Sequence, residues 1–290
     1  MVARRYRVVD VFTERPLEGN ALAVFPDGSG LDDATMQKIA RELNLSETTF
    51  VTPPTRAECV ARVRIFTPAR ELPFAGHPTI GTAFVLLAAR AARGPRFVLE
   101  EGVGPVAVRV ESGARPLIWL TTPPIKEGRR FDRARCATAL GLDVSDLLDV
   151  VPVLLDAGNP TLLIGLKDRV TVDRAWLDLA GMRSLKVAGD APFCVFVFAP
   201  TADGAYSRMF APEYGIAEDP ASGSCTGPLA LFMMRHGLVA TADGTRFVSE
   251  QGTKMGRCSL LHVEIHGEGG VKGIDVGGHA TPIVDATLTL

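Results

Sequence analysis

Gly76-His77-Pro78-Thr79, which opens a run of apolar residues ending at Ala89, returns later in the chain as Gly223-Ser224-Cys225-Thr226, opening a second such run that ends at Met234. The copies are offset by 147 positions (223 against 76). Three more pairs keep the same order. Gly19-Asn20-Ala-Leu-Ala-Val24 matches Gly158-Asn159-Pro-Thr-Leu-Leu163, and Arg64-Ile-Phe66-Thr-Pro68 matches Arg208-Met-Phe210-Ala-Pro212. Phe97-Val-Leu-Glu100-Glu101-Gly102 matches Phe247-Val-Ser-Glu250-Gln251-Gly252. Offsets that drift only from 139 to 150 describe one structural unit built twice, with small loop insertions between matches.

The segments Pro78–Arg90 and Gly227–Arg235 are apolar around almost their whole circumference, so each helix must be enclosed on all sides. What surrounds them reads mainly as strands. The first half offers 6–12, 22–25, 45–51, 60–66, 96–100, 106–110 and 117–121, and the second 152–156, 162–166, 193–199, 207–210, 246–249 and 260–265. A helix over 32–43 places Met36, Ile39, Ala40 and Leu43 on one face, and a counterpart is expected over 173–182. Thr122-Thr-Pro-Pro-Ile-Lys-Glu-Gly128 reads as a linker. The expected fold is α+β: two pseudo-symmetric antiparallel half-barrels, each wrapped around a buried helix. Their domains are 1–122 and 123–290, with the last strand a candidate to return to the first.

Composition narrows the function classes. The 290 residues are 47% apolar and 22% charged, in the range of globular proteins. A net charge of −2 offers no electrostatic footprint for nucleic acid or acidic membrane. Five scattered cysteines without a C-x-x-C pair point to reduced thiols and a cytoplasmic setting. The N-terminus reads as a strand rather than a signal peptide, and no apolar run approaches the roughly 20 residues that span a bilayer.

Helix N-termini carry unpaired N–H groups and partial positive charge, so two repeated ones suit a carboxylate ligand. Glu47, in Leu45-Ser-Glu-Thr-Thr-Phe-Val51, shares a strand face with Leu45, Thr49 and Val51. On a buried face desolvation would disfavour its charged form and suit it to proton transfer, but alternation alone leaves a water-facing glutamate equally open. The matching segment of the second half has no carboxylate, so one proton-transfer residue is favoured over two. His77 and Asp219 stand beside the helix starts as substrate contacts or structural hydrogen-bonding groups. Other patterns fail. His262-Val-Glu264-Ile-His266 would align three metal ligands, but Leu261, Val263 and Ile265 on the other face make it an ordinary solvated strand, and no metal is expected. Gly102-Val-Gly104 lacks the rest of a dinucleotide fingerprint. Cys225 lies beside a helix N-terminus, where a thiol can be activated, yet its repeat partner is Pro78.

Together with Asp10-Val-Phe-Thr13, Leu45-Ser-Glu-Thr-Thr-Phe50, Phe66–Gly81, Glu218-Asp-Pro-Ala-Ser-Gly-Ser224 and Gln251-Gly-Thr-Lys-Met-Gly-Arg257, these features resemble the phenazine-biosynthesis isomerase-like (PhzF-like) family of the diaminopimelate epimerase superfamily. The resemblance runs through nearly the whole chain. It implies a site between paired half-barrels, no cofactor, a small carboxylate substrate and a homodimer. It also implies that Glu47 is the general acid/base, that His77 and Asp219 position the substrate, and that Asn20, Gly76, Pro78, Thr79, Gly223 and Ser224 line the site. Related racemases carry cysteines where this chain has Gly76 and Gly223, which argues against two-thiol chemistry. Cys258 stands where the family tends to have proline. The expected activity is a cofactor-independent isomerisation resembling that of dihydro-hydroxyanthranilate; the alternatives are an amino-acid racemase or epimerase and a non-catalytic ligand-binding module.

Overall fold

A computed structural model describes residues 2–267 and 272–290. The chain divides into two compact units, 1–121 with 277–290 and 122–276. The first unit contains β1 (Ala3–Val11), β2 (Asn20–Phe25), α1 (Asp33–Leu43), β3 (Glu47–Thr52), β4 (Ala61–Phe66), β5 (Glu71–Leu72), α2 (Gly76–Ala88), β6 (Arg96–Glu101), β7 (Gly104–Glu111) and β8 (Leu117–Thr121). The second contains β9 (Lys126–Arg130), α3 (Arg133–Ala139), β10 (Val153–Asp156), β11 (Thr161–Gly165), α4 (Arg169–Arg174), α5 (Leu179–Leu185), β12 (Cys194–Thr201), β13 (Gly204–Ala211), β14 (Ile216–Asp219), α6 (Gly223–Arg235), β15 (Arg246–Gln251) and β16 (Ser259–His266). After β17 (Gly273–Gly278) the chain ends in β18 (Ala280–Thr289), which pairs with β1 in the first unit.

The repeat seen in the sequence is a repeat of strand pairings. In the first unit β2 runs parallel to β3, β3 antiparallel to β4, and β4 parallel to β6, which then pairs antiparallel with β7. In the second unit β11, β12, β13, β15 and β16 repeat those four relationships in the same order. The half-barrels are therefore mixed rather than purely antiparallel. A strand-to-parallel-strand step needs a crossover, and here helices provide it: α1 between β2 and β3, α4 and α5 between β11 and β12.

Each sheet is covered on both faces. α2 lies against β1, β2, β3 and β8 on one face of the first, while α1 seals the other with Met36, Ile39 and Ala40 on Phe25, Phe50 and Phe66. Buried on both sides, β3 is closed along nearly its whole length. In the second unit α6 packs on β11 and β16, with Leu229, Phe232 and Met233 in one core, and α3, α4 and α5 build a second core on the opposite face around Phe193, Val195 and Val197.

Three local expectations are corrected. The helix expected over 173–182 is two short ones, because Asp168 and Asp178 each cap a start and Ala175 is extended between them. Buried Arg208 takes the carbonyls of Val172, Asp173 and Ala175, satisfying the C-terminal acceptors that a continuous helix would have used. The second buried helix, expected from Gly227, begins at Gly223, so Pro228 sits inside it, while Pro78 occupies the first turn of α2. Finally, the stretch read as a linker turns into β9 at Lys126 and pairs with β10.

Candidate active site

In the first unit, alternation along β3 decides where Glu47 points. Phe50 belongs to the core beneath α1, so Thr49 and Glu47 face the other way, towards α2. Thr49 Oγ1 lies 2.8 Å from Thr82 Oγ1 of α2, tying the strand to the helix. Two residues back along the strand is about 6.7 Å, and five back along the helix is about 7.5 Å. The two steps are of similar length, and at their ends Glu47 lies beside His77. Their Oε2 and Nε2 atoms are 3.1 Å apart, with side chains 12% and 6% exposed. The other ring nitrogen, Nδ1, stands 3.4 Å from Asn20 Nδ2 at the start of β2. In the tautomer with hydrogen on Nε2, Nδ1 accepts from that amide and the N–H is presented on the Glu47 side.

The contact between Glu47 and His77 is close but poorly aligned for a hydrogen bond. Glu47 Oε2 and His77 Nε2 are both buried and find no hydrogen-bond partner among the described residues. Such atoms are uncommon in a folded interior, where the great majority of buried polar atoms are satisfied. The water-facing reading of Glu47 is thereby excluded.

Gly76 is the first residue of α2, and Pro78 and Thr79 follow in its first turn, all buried. Thr79 does not offer its hydroxyl outward: Oγ1 is within 2.7 Å of Ala75 O and of Glu101 Oε1. A close approach holds the lead-in loop. A Cβ at Gly102 would come within 2.7 Å of Pro73 Cα, so only glycine lets the β6–β7 turn touch it.

The second unit repeats this arrangement with different chemistry. Gly223 opens α6, and Asn159 Nδ2 donates to Ser224 Oγ at 3.3 Å, as Asn20 reaches His77. Asp219, buried at the end of β14, accepts a hydrogen bond from Ser222 Oγ. Gln251 closes the loop: Nε2 donates to Asp219 O at 2.7 Å and to Ser222 Oγ at 3.0 Å, and Oε1 accepts from Ser222 N at 3.1 Å. Gly252, at φ +74°, meets Pro220 as Gly102 meets Pro73.

Strand register identifies what replaces the glutamate. Glu47 stands opposite Leu22, and Cys194 stands opposite Thr161, the repeat partner of Leu22. The second unit thus carries Cys194 where the first carries Glu47. Its hydrogen bond with Cys225 and its burial push this thiol well above the ordinary range, so it stays protonated. Cys225 is itself fully buried, with Sγ 3.2 Å from Thr161 Oγ1. Asn159, Ser222, Gln251, Glu101 and Cys194 were not singled out from sequence, although the Gly-Asn and Glu-Gly/Gln-Gly repeats contained the signal for three of them.

Along β16, His262, Glu264 and His266 share the half-buried face and Leu261, Val263 and Ile265 the buried one. Asp275 joins Glu264 and His266 in a group whose ligand atoms lie within 4.8 Å of one another, but Asp275 already pairs with His266 at 3.0 Å and Glu264 with Arg246. Among the described residues no helix is long and apolar enough to cross a membrane.

A profile of the phenazine biosynthesis-like protein family matches residues 9–286. The chain belongs to that family. It is 38% identical over 304 aligned positions to an uncharacterized isomerase of Mesorhizobium japonicum, covering 99% of each chain. It is 36% identical over 290 positions to the trans-2,3-dihydro-3-hydroxyanthranilate isomerase of Pseudomonas aeruginosa, again covering 99% of each. A PhzF-family phenazine biosynthesis protein of Bacillus anthracis superposes with a TM-score of 0.90 over 100% of both chains; at 22% identity this speaks to the fold alone. By class the chain is an isomerase, which removes the non-catalytic binding module from consideration.

Proposed function

We propose that this isomerase moves a proton between two carbons of a small, amino-acid-like carboxylate of the dihydro-hydroxyanthranilate type, with Glu47 as its single acid/base. The observation that carries the reading is the buried Glu47–His77 pair whose facing atoms have no hydrogen-bond partner among the described residues. The Glu47 carboxylate takes a proton from a carbon beside an unsaturated or carboxyl-bearing group, and the electron pair of the broken C–H bond shifts into that unsaturation. The Glu47 carboxyl, whose proton exchanges with water, then protonates a different carbon, so one proton leaves and one is added and nothing is gained or lost overall. His77, steadied by Asn20, offers Nε2–H to the negative charge that develops meanwhile, and the positive end of α2 acts in the same sense.

Asymmetry between the units supports one base rather than two. A racemase working with two equivalent carboxylates would need a second one at the position equivalent to Glu47, and Cys194 stands there instead. We assign Asp219, Gly223 and Ser224 to substrate positioning, because their surroundings copy those of the first helix start. The substrate class rests on the 36% identical relative named for trans-2,3-dihydro-3-hydroxyanthranilate.

The test is incubation of the protein with that compound in heavy water, followed by NMR. The expected product is the shifted isomer with deuterium at the carbon that gains the proton. Inversion at one carbon without a double-bond shift would favour the racemase reading, and no reaction would turn the search to other small carboxylates.

A further inference from the structure

The first helix start rests on a carboxyl group that the proposed chemistry does not use. Glu101, at the end of β6, is 4% exposed. Its Oε1 lies 2.7 Å from Thr79 Oγ1, and its Oε2 has no hydrogen-bond partner among the described residues. Thr79 Oγ1 is equally close, 2.7 Å, to the carbonyl of Ala75, the residue that caps α2. A hydroxyl has one hydrogen, and a carbonyl has none to give. The Thr79 hydrogen therefore goes to Ala75 O, and the hydrogen between Thr79 and Glu101 must belong to Glu101. Ala75 O also accepts from Thr79 N at 3.2 Å, so the count turns on the two short oxygen–oxygen contacts: an ionised Glu101 would leave one of them without a hydrogen, in an interior that solvates neither oxygen.

The repeat makes the same point independently. Thr226 stands for Thr79 and donates to Ser222 O at 3.0 Å, and Gln251 stands for Glu101. The second unit thus braces its helix start with an amide, a neutral side chain of nearly the same shape as a protonated glutamate, whose Nε2 supplies the donor. The neighbouring Glu100 shows what a charged carboxylate needs on this strand. It accepts hydrogen bonds from Thr55 N, Thr55 Oγ1 and Arg56 N, with Arg62 nearby, and these hold it below the usual carboxylate range. Glu101 has no such donors.

We propose that Glu101 is a positioning residue that works in its neutral form: its carboxyl O–H braces the first turn of α2 through Thr79, and losing that proton releases the turn that carries His77. This rests on the proposed role of the Glu47–His77 pair. Burial pushes Glu101 up to about 8. Among the described residues no charged side chain acts on it, and Arg62 of the paired strand β4 reaches Glu100 instead. Gly104 of β7 is opposite, α2 brings Thr79, and His77 on that helix faces Glu47 and Asn20. Ionisation thus falls within reach of ordinary alkaline buffers.

Glu101→Gln supplies the test, because it fixes the neutral shape and copies the other unit. As pH rises from about 4.5 to about 8, the unfolded chain releases a proton that the folded protein keeps, so wild-type stability falls across that window and then levels. The gap in Tm between Glu101→Gln and wild type should widen over the same window. Parallel Tm curves from pH 5 to 10 would overturn the neutral carboxyl. The second readout needs no turnover. The ¹⁵N imidazole signals of His77 should shift with a midpoint near 8 in the wild type and not in Glu101→Gln, and identical titrations in both would overturn the positioning role. With substrate, wild-type rate should fall about tenfold per pH unit above that midpoint, while Glu101→Gln keeps its neutral rate within about threefold and lacks the fall. Failure of the isomerisation itself would appear as no turnover at any pH, with the Tm and imidazole results standing apart from it.

Discussion

Glu47→Gln separates proton transfer from everything else the first unit does. The side chain is 12% exposed, and glutamine fills the same volume, so no cavity opens. The misaligned 3.1 Å approach to His77 is replaced by an amide that can turn either its oxygen or its nitrogen towards the ring. Stability should therefore change by no more than about 1 kcal/mol, the scale of one hydrogen bond. Catalysis should fall much further. A positioned acid/base contributes roughly 10²- to 10⁴-fold, which is about 3–5 kcal/mol of activation free energy. Glu47→Asp offers a graded comparison: its carboxyl retracts by one C–C bond, about 1.5 Å, and a displacement of that size costs about 10²-fold. The assay is deuterium incorporation by NMR in heavy water, with calorimetric binding of the same compound alongside. Both variants should still bind, and both should be slow. If Glu47→Gln turned over within threefold of wild type, Glu47 would not be the base and the proposed reaction would fall with it.

Phe232 is fully enclosed in α6 against the Phe198 ring at 5.7 Å, whereas Phe84 of α2 is only half-buried, contrary to the equal burial its sequence suggests. Phe232→Ala should cost about 3–5 kcal/mol in a denaturant titration and Phe84→Ala clearly less; equal losses would contradict the described core. Arg208 grips Glu218 with two hydrogen bonds of 2.8 and 2.9 Å, both side chains at or below 10% exposure, so Glu218→Ala should cost about 3–5 kcal/mol. Arg169 grips Glu250 equally well but is half in solvent, and Arg169→Ala should cost about 1 kcal/mol or less; thermal melts of the two variants distinguish the cases. A thiol reagent at pH 8 should modify Cys258 first, since Cys59, Cys136, Cys194 and Cys225 are buried; rapid labelling that persists in Cys258→Ser would contradict that burial.

Much of the architecture was open to reading because it is written locally. The α1 helix shows its apolar face and its Asp32 cap within twelve residues, and α2 and α6 announce burial by lacking a polar face. Where two distant segments decide the outcome, local pattern misleads. The break between α4 and α5 is stabilised by Arg208, over thirty residues away. β18 was expected only as a last strand returning to the first domain, without bounds, because Pro282 interrupts its pattern; the strand tolerates it at a bulge opposite Val8 and Val9.

The sequence by itself determined that the chain is built twice, that each copy holds a buried helix, and which residues stand near the start of each, because periodicity, caps and repeats are properties of the chain alone. Only the tertiary structure decided which face of β3 Glu47 occupies, that Asn20, Glu47 and His77 converge, that Cys194 takes the glutamate's place in the second unit, and that Glu101 is buried against the Thr79 hydroxyl. Those are matters of register and distance between residues up to 57 positions apart. No local pattern encodes which hydrogen bonds a buried group will find; that follows only when the strands and helices close around it.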